Sequence, residues 1–359
     1  LPCDGRLFFL QDLFVHLNAF NHFRAVAILF IVAGHSFDMT GMQLNRYIDL
    51  VLVNLLKGGT ALFVFISGFL FHHVFYPKFA YRPFVMKKVK AVFLPYMLLG
   101  LLPVTVAVLA QQAGAGYFPA DGEGVLAQYL VPGLKYYLTG RFLDAYWYIP
   151  FIMVTFLLSP LHLLFIGLSA RVQLGLVLLL SVVGMLLHRP VDNIAVWQSV
   201  LYYSPIYLMG IVASVHRAAV HQALVGRELY LLLAVVGLAV LQVELGHISN
   251  YHKPAFDYAG LDLMFVQKVG LCFFFMQFLT RFESYHSGAA HTLAATSFTV
   301  FFIHPLLLWW LQANEITVFQ QNAWWVFVLF FAGLTLFCVL LATLCRRLFP
   351  RYSRYLIGY

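Results

Sequence analysis

Charge is what this 359-residue chain has least of: 10% of its residues are charged, 62% are hydrophobic, and the mean hydropathy is +0.85. Soluble domains carry about 25% charged and 45–50% apolar residues, so the composition excludes a water-soluble fold. Acidic residues are the scarcest, 14 against 22 Lys and Arg. The net charge of +8 does not point to a nucleic-acid partner, because the basic residues fall in separate loops. Cysteine is nearly absent. The four cysteines are Cys3, Cys272, Cys338 and Cys345; no Cys-x-x-Cys pair occurs, so neither a disulfide framework nor redox or zinc chemistry is indicated. His72 and His73 are adjacent, not four apart on a helix, and no metal is expected. No low-complexity tract and no internal repeat of the secondary-transporter kind is visible. The first apolar run holds Arg24, continues into His35 and has no small-residue cleavage site. It is read as a retained span and not as a signal peptide.

What is present is a succession of long apolar runs. Runs of about 20 residues, long enough to cross a bilayer, lie at roughly 20–37, 59–76, 91–111, 146–168, 172–188, 197–215, 229–246, 259–280, 293–313 and 324–345. The expected fold class is therefore all-α: a polytopic transmembrane bundle of about ten helices, forming one integral membrane domain over residues 1–359. Residues 1–19 read as an interfacial N-terminal segment. The Gly- and Pro-rich interval 112–144 reads as the longest external loop. Basic residues flank the runs unevenly. Lys78, Arg82, Lys87, Lys88, Lys90, Arg171, Arg217, Arg227, Arg281 and the C-terminal arginines fall on one side, and a smaller set including Arg46, Lys57, Arg141 and Arg189 on the other. The richer side is cytoplasmic by the positive-inside rule, which puts both termini inside.

Arg24 and His35 carry the most information. Eleven steps of about 100° return to within about 20° of the same helical face, at a rise of about 16 Å. Two ionisable groups then share one face at depths about half a bilayer apart, where they are costly unless used. The structural alternative is an interfacial anchor and a core histidine. Other intramembrane polar groups stand out: His304 before Pro305, Lys268 with Asp262 as a partner within reach, and Asp144-Ala145-Tyr146-Trp147-Tyr148 opening a run. Asp144 and Trp147 suit a sugar platform as well as an interfacial belt.

Four landmarks line up in order: Arg24 with His35-Ser36 eleven residues on, FVFISGFLF with Ser67-Gly68, FVMKKVKAVFLPY ending in Pro95-Tyr96, and FFIHPLLL with His304-Pro305. Over essentially the whole chain this order resembles the acyltransferase-3 family of integral membrane O-acyltransferases, in particular the exopolysaccharide and surface-glycan type. The resemblance implies a bacterial inner-membrane enzyme that moves an acyl group, usually acetyl, from cytoplasmic acetyl-CoA or another acyl-CoA to a sugar hydroxyl outside. It maps the family's essential pair onto Arg24 and His35. The chain departs from the family where two cytoplasmic arginines often occur; here Lys88 and then Ala91 stand.

Acyl transfer from a thioester needs a base for the hydroxyl proton and a stabiliser for the oxyanion. His35 is the expected base. Ser36 points about 100° away from it on a helix, so direct attack by the sugar is favoured over a serine ester. Lys87, Lys88, Lys90 and Arg82 are the expected binders of coenzyme A phosphates; topology alone also demands such residues. Ser67, Asp144, Trp147 and His304 are the expected acceptor-side residues. One continuous polar passage is expected from the lysine patch past Arg24 to His35, with His304 nearby. The expected partners are a carbohydrate acceptor, acyl-CoA, the bilayer and other components of a polysaccharide synthesis or export system. The competing class is a glycan or lipid transporter, with Arg24, His35 and Lys268 as an intramembrane relay.

Overall fold

Apolar runs satisfy their backbone polar groups in a bilayer as helices. The computed structural model describes the backbone of residues 5–112 and 116–358, with side chains for 18–111 and 116–358. The side-chain pattern that suggests an interfacial segment at 1–19 lies largely outside the described residues. Helices α1 (Gly5–Met39), α2 (Tyr47–Leu56), α3 (Thr60–Leu70), α4 (Tyr81–Lys88) and α5 (Leu94–Gln112) come first. After the short α6 (Val131–Thr139) come α7 (Tyr148–Leu157), α8 (Ser159–Ile166), α9 (Ala170–Leu187) and α10 (Val196–Val215). The chain continues through α11 (Arg217–Leu224), α12 (Glu228–Glu244), α13 (Leu263–Phe278), α14 (Gly288–Ala313), α15 (Trp324–Leu348) and α16 (Ser353–Ile357). Among the described residues the extended pairing is limited to an isolated bridge between Arg189 and His252.

Seven helices among the described residues are long and apolar enough to cross a membrane, or nine if two bent pairs count as one span each. The expected count of about ten exceeds this. The bent pairs are α7–α8, broken by 56°, and α11–α12, broken by 79°. The remaining expected run, 197–215, coincides with α10, which is 20 residues long but carries three Ser, three Tyr and one Gln. Thirteen of those residues are buried in protein, and a helix covered by its neighbours needs no apolar face. By contrast α9 turns Leu178 and Leu179 outward at 66% and 61% exposure, as a lipid-facing helix does.

Two helix contacts position the site. α1 lies along α14, and α3 lies along α10. The second contact explains the Ser-Gly of the second landmark: a Cβ on Gly68 would sit 1.9 Å from the Tyr207 carbonyl oxygen, and one on Gly210 would sit 2.1 Å from that of Phe65. Glycine lets the two backbones touch, the small-residue packing typical of membrane helices. π-helical turns at Phe71–Phe75 and Val89–Phe93 follow α3 and precede α5. Such turns often mark functional sites.

Candidate active site

One cavity, of about 400 Å³, opens around His35. Its floor comes from α1 (His35, Asp38) and from the break between α2 and α3 (Lys57, Gly58, Gly59, Thr60). Its walls are Arg141, Asp144 and Trp147 ahead of α7, Arg189, Asp192 and Asn193 after α9, and Asn250 and His252 after α12. The α2–α3 break is held from below by Lys268, whose ammonium donates to the Asn54 and Leu55 carbonyls at 2.8 Å each. Lys268 thus takes up carbonyls at the end of α2. Asp262 is not its hydrogen-bond partner: that carboxylate caps α13 through Met264 and Phe265 N–H and accepts from the Tyr202 hydroxyl at 2.7 Å.

Beside His35 stands His304, with ring centroids 5.5 Å apart. Pro305 has no N–H, so the Phe301 carbonyl loses its helical donor. The His304 ring faces that carbonyl, and its Nδ1 lies 2.7 Å from the Val300 carbonyl. A carbonyl accepts only, so Nδ1 carries the hydrogen and Nε2 is left as a bare acceptor. Nε2 is buried and has no partner. Ser36 offers no nucleophile: it is fully buried and its hydroxyl donates to the Val32 carbonyl at 2.8 Å.

A second cavity, of about 300 Å³, lies at the other end of the same helical face, around Arg24. Lys87, Lys88, Arg354 and Ser67 line it with Phe75, Phe156, Ala91 and Val92, and its lining holds no carboxylate. Arg24 donates to Ser297 at 3.1 Å. The Lys88 ammonium sits 4.4 Å from the Phe156 ring and 4.6 Å from that of Phe75, cation–π contacts that hold a charge without neutralising it. Both π-helical turns contribute lining, through Phe75 and through Ala91 and Val92.

No residue lines both cavities. They are linked by a buried chain of contacts: His35 to His304, His304 to Phe301 at 6.3 Å, and Phe301 to Tyr148 at 5.3 Å. The Tyr148 hydroxyl faces Ser67 without completing a hydrogen bond. The continuous passage expected from the sequence is therefore closed here by packed aromatic side chains.

A family model described as an acyltransferase domain matches residues 17–343. The chain belongs to the acyltransferase-3 family. It is a multi-pass membrane acyltransferase. No curated protein and no solved structure matches it. The match takes in the helices that carry both cavities, from Arg24 to His304, and ends before Arg354.

The acyltransferase places its expected residues unevenly. Arg24, Lys87 and Lys88 come together, whereas Arg82 and Lys90 are exposed and line neither cavity. Ser67 belongs to the Arg24 cavity and not, as expected, with the acceptor-side residues. Asp144 lines the His35 cavity and pairs with Arg141 at 3.0 Å. Trp147 lines it too, but is 4% exposed, stacks on Tyr203 and carries the Arg189 guanidinium 5.0 Å from its ring. It supports Arg189 and does not offer a free face to a sugar. His304 lines neither cavity and reaches the site through His35. Two residues escaped the sequence reading. Arg354 follows the last apolar run and looks like a topological anchor, yet α16 folds back so that it shares a cavity with Ala91. Arg189 follows α9 and looks like a loop cation, yet it is 5% exposed.

Proposed function

We propose that this acyltransferase carries an acyl group, acetyl in the simplest case, from acyl-CoA in the Arg24 cavity to a hydroxyl of a surface glycan in the His35 cavity. The observation that supports this reading is the pairing of two dissimilar cavities at the two ends of one helical face. A cavity lined by four cations and no carboxylate suits a pyrophosphate and a 3′-phosphate, with Phe75 and Phe156 beside the pantetheine arm. A polar, mixed-charge cavity with a histidine in its floor suits a carbohydrate. The Lys87–Lys88 end carries the larger share of the flanking basic residues. That end is assigned to the cytoplasm of a bacterial inner membrane, with both termini on the same side.

In the reaction the acceptor oxygen attacks the thioester carbonyl carbon and the carbon–sulfur bond breaks. The hydroxyl proton passes to His35 and the departing coenzyme A sulfur is protonated in turn. His304 Nε2 is the acceptor available to an N–H of His35, and so fixes which His35 nitrogen stays free as the base, the orienting part played by the third member of a catalytic triad. The Tyr148–Phe301 packing must open for the thioester to reach His35, a motion of the gating kind. The relay reading is not favoured, because Lys268 is committed to backbone carbonyls and lines neither cavity. Mass spectrometry of the surface polysaccharide from cells with and without the protein tests the proposal: loss of one acyl substituent is expected, and an unchanged acylation pattern contradicts it.

A further inference from the structure

The cations of the His35 cavity are not equivalent. Arg141 is paired with Asp144 at 3.0 Å and with Asp192 at 3.4 Å, and these two carboxylates are 65% and 44% exposed. The third lining carboxylate, Asp38, is exposed. Arg189 is different. It is 5% exposed, and among the described residues no carboxylate lies within ion-pair distance of it. Among the described residues its guanidinium makes one hydrogen bond, from Nη2 to the Asn193 side chain at 3.2 Å, and its buried Nε has no partner. Asn250, in the same lining, has a buried side-chain oxygen without a donor.

A buried guanidinium with no counter-ion is costly, and the fold spends several contacts on keeping it in place. Trp147 lies beneath it. Its backbone carbonyl accepts from Lys253 N–H at 3.0 Å. Gln198 donates to the Leu187, His188 and Lys253 carbonyls on both strands of that bridge. Three residues of the same loop, His188, Asp192 and Asn193, hold positive φ of 58°, 52° and 56°, strain of the kind kept at ligand sites. Lys57, for which no carboxylate partner occurs among the described residues, lines the same cavity as Arg189 and His35.

We propose that the acceptor bears a carboxylate, and that Arg189 holds it while a hydroxyl of the same glycan faces His35. The acceptor is then an acidic sugar of the uronic-acid class. Its planar carboxylate takes the free guanidinium N–H groups in the fork geometry arginine favours, and a neighbouring ring hydroxyl donates to the Asn250 oxygen. The exposed Asp38, Asp144 and Asp192 remain at the rim and accept from other hydroxyls. This inference rests on the acyl-transfer reading for the identity of the cavity as the acceptor site. The carboxylate is assigned to the acceptor and not to the acyl chain, because Arg189 sits in the loop wall of the His35 cavity, away from the end the donor enters.

The test uses the purified full chain, acetyl-CoA, and a glucuronic-acid-containing oligosaccharide in native and carboxyl-reduced forms. Wild type is expected to show a KM about 10- to 100-fold higher for the reduced form, the range of a charge-assisted hydrogen bond, with kcat little changed. R189Q is expected to treat the two forms alike, with R189K in between. Free glucuronate, and not glucose, is expected to protect wild type against heat, and R189Q is expected to lose that protection. Equal KM for both forms in wild type, or discrimination that survives in R189Q, overturns the proposal while leaving acyl transfer intact. Discrimination that follows a change of donor from acetyl-CoA to succinyl-CoA, and not the acceptor, overturns it in favour of an acidic acyl chain. If glucuronate protects through Arg189 but neither glycan is acylated, the carboxylate site stands and the transfer reading fails. If neither protection nor acylation occurs, both fail.

Discussion

The two cavities on the Arg24–His35 face are built by opposite means. Around Arg24 the charges are of one sign, come from three separate segments (α1, α4 and α16), and rest against phenylalanines from a π-helical turn and α7. Around His35 both signs are present, hydrogen bonds tie the loops to one another, and the backbone is strained at three residues. The first is suited to a ligand whose own charge completes the site. The second is suited to a ligand read group by group. Under the proposed acyl transfer, the Arg24 cavity governs affinity for one generic donor, and the His35 cavity governs chemistry and acceptor choice.

The largest effect is expected where that division is sharpest. His35→Ala removes the proposed base and is expected to lower transfer by about 10²–10⁴-fold, while coenzyme A binding, measured by titration, stays near wild type. Loss of coenzyme A binding in that variant breaks the comparison. Ser36→Ala is the control: unchanged transfer and no trapped ester are expected, because its hydroxyl is occupied within α1. A smaller and opposite pattern is expected from the triple variant K87Q, K88Q and R354Q. The donor constant rises by about tenfold or more, turnover with saturating donor changes little, and the salt dependence of donor binding flattens as screened charges are removed. Insertion is checked first, since these charges also set orientation. Turnover lost without any change in donor affinity means the cavities do not divide the work.

The smallest expected effect concerns pH and only the His35 cavity. Burial and the Arg189 charge push the His252 imidazole down to about 4, against about 6.5 in an unfolded chain. Between those values the unfolded chain binds a proton that the native site refuses, so stability is lost as pH falls from about 6.5 toward 4. Thermal scans across that window are expected to show a shallower decline for H252Q than for wild type. A steeper decline in H252Q shows that His252 is charged in the native fold.

How much of this was legible in the sequence follows from what each feature depends on. The long spans were visible because apolar runs of bilayer length have one stable outcome, and the Arg24–His35 spacing because helix geometry is fixed. α10 resists hydropathy because its surroundings are protein and not lipid. The bends at α7–α8 and α11–α12, and the π-helical turns beside the lysines, depend on tertiary contacts that no period reveals. Lys87 and Lys88 were readable as a patch, but the chain alone could not tell them from Arg82 and Lys90, whose neighbours differ only in three dimensions. Arg354 and Arg189 were hidden for the same reason. A cation after a span looks like an anchor until the fold brings Ala91 or Trp147 against it.

Donor and acceptor are proposed to approach from opposite membrane faces and to meet at His35. The most direct test is transfer in proteoliposomes of known orientation, with labelled acetyl-CoA on one side and a glycan acceptor on the other. Acylated glycan is expected only when acetyl-CoA is supplied on the Lys87–Lys88 side and the acceptor on the Arg189 side. Equal product with both substrates confined to one side, or product when the sides are exchanged, would contradict the account.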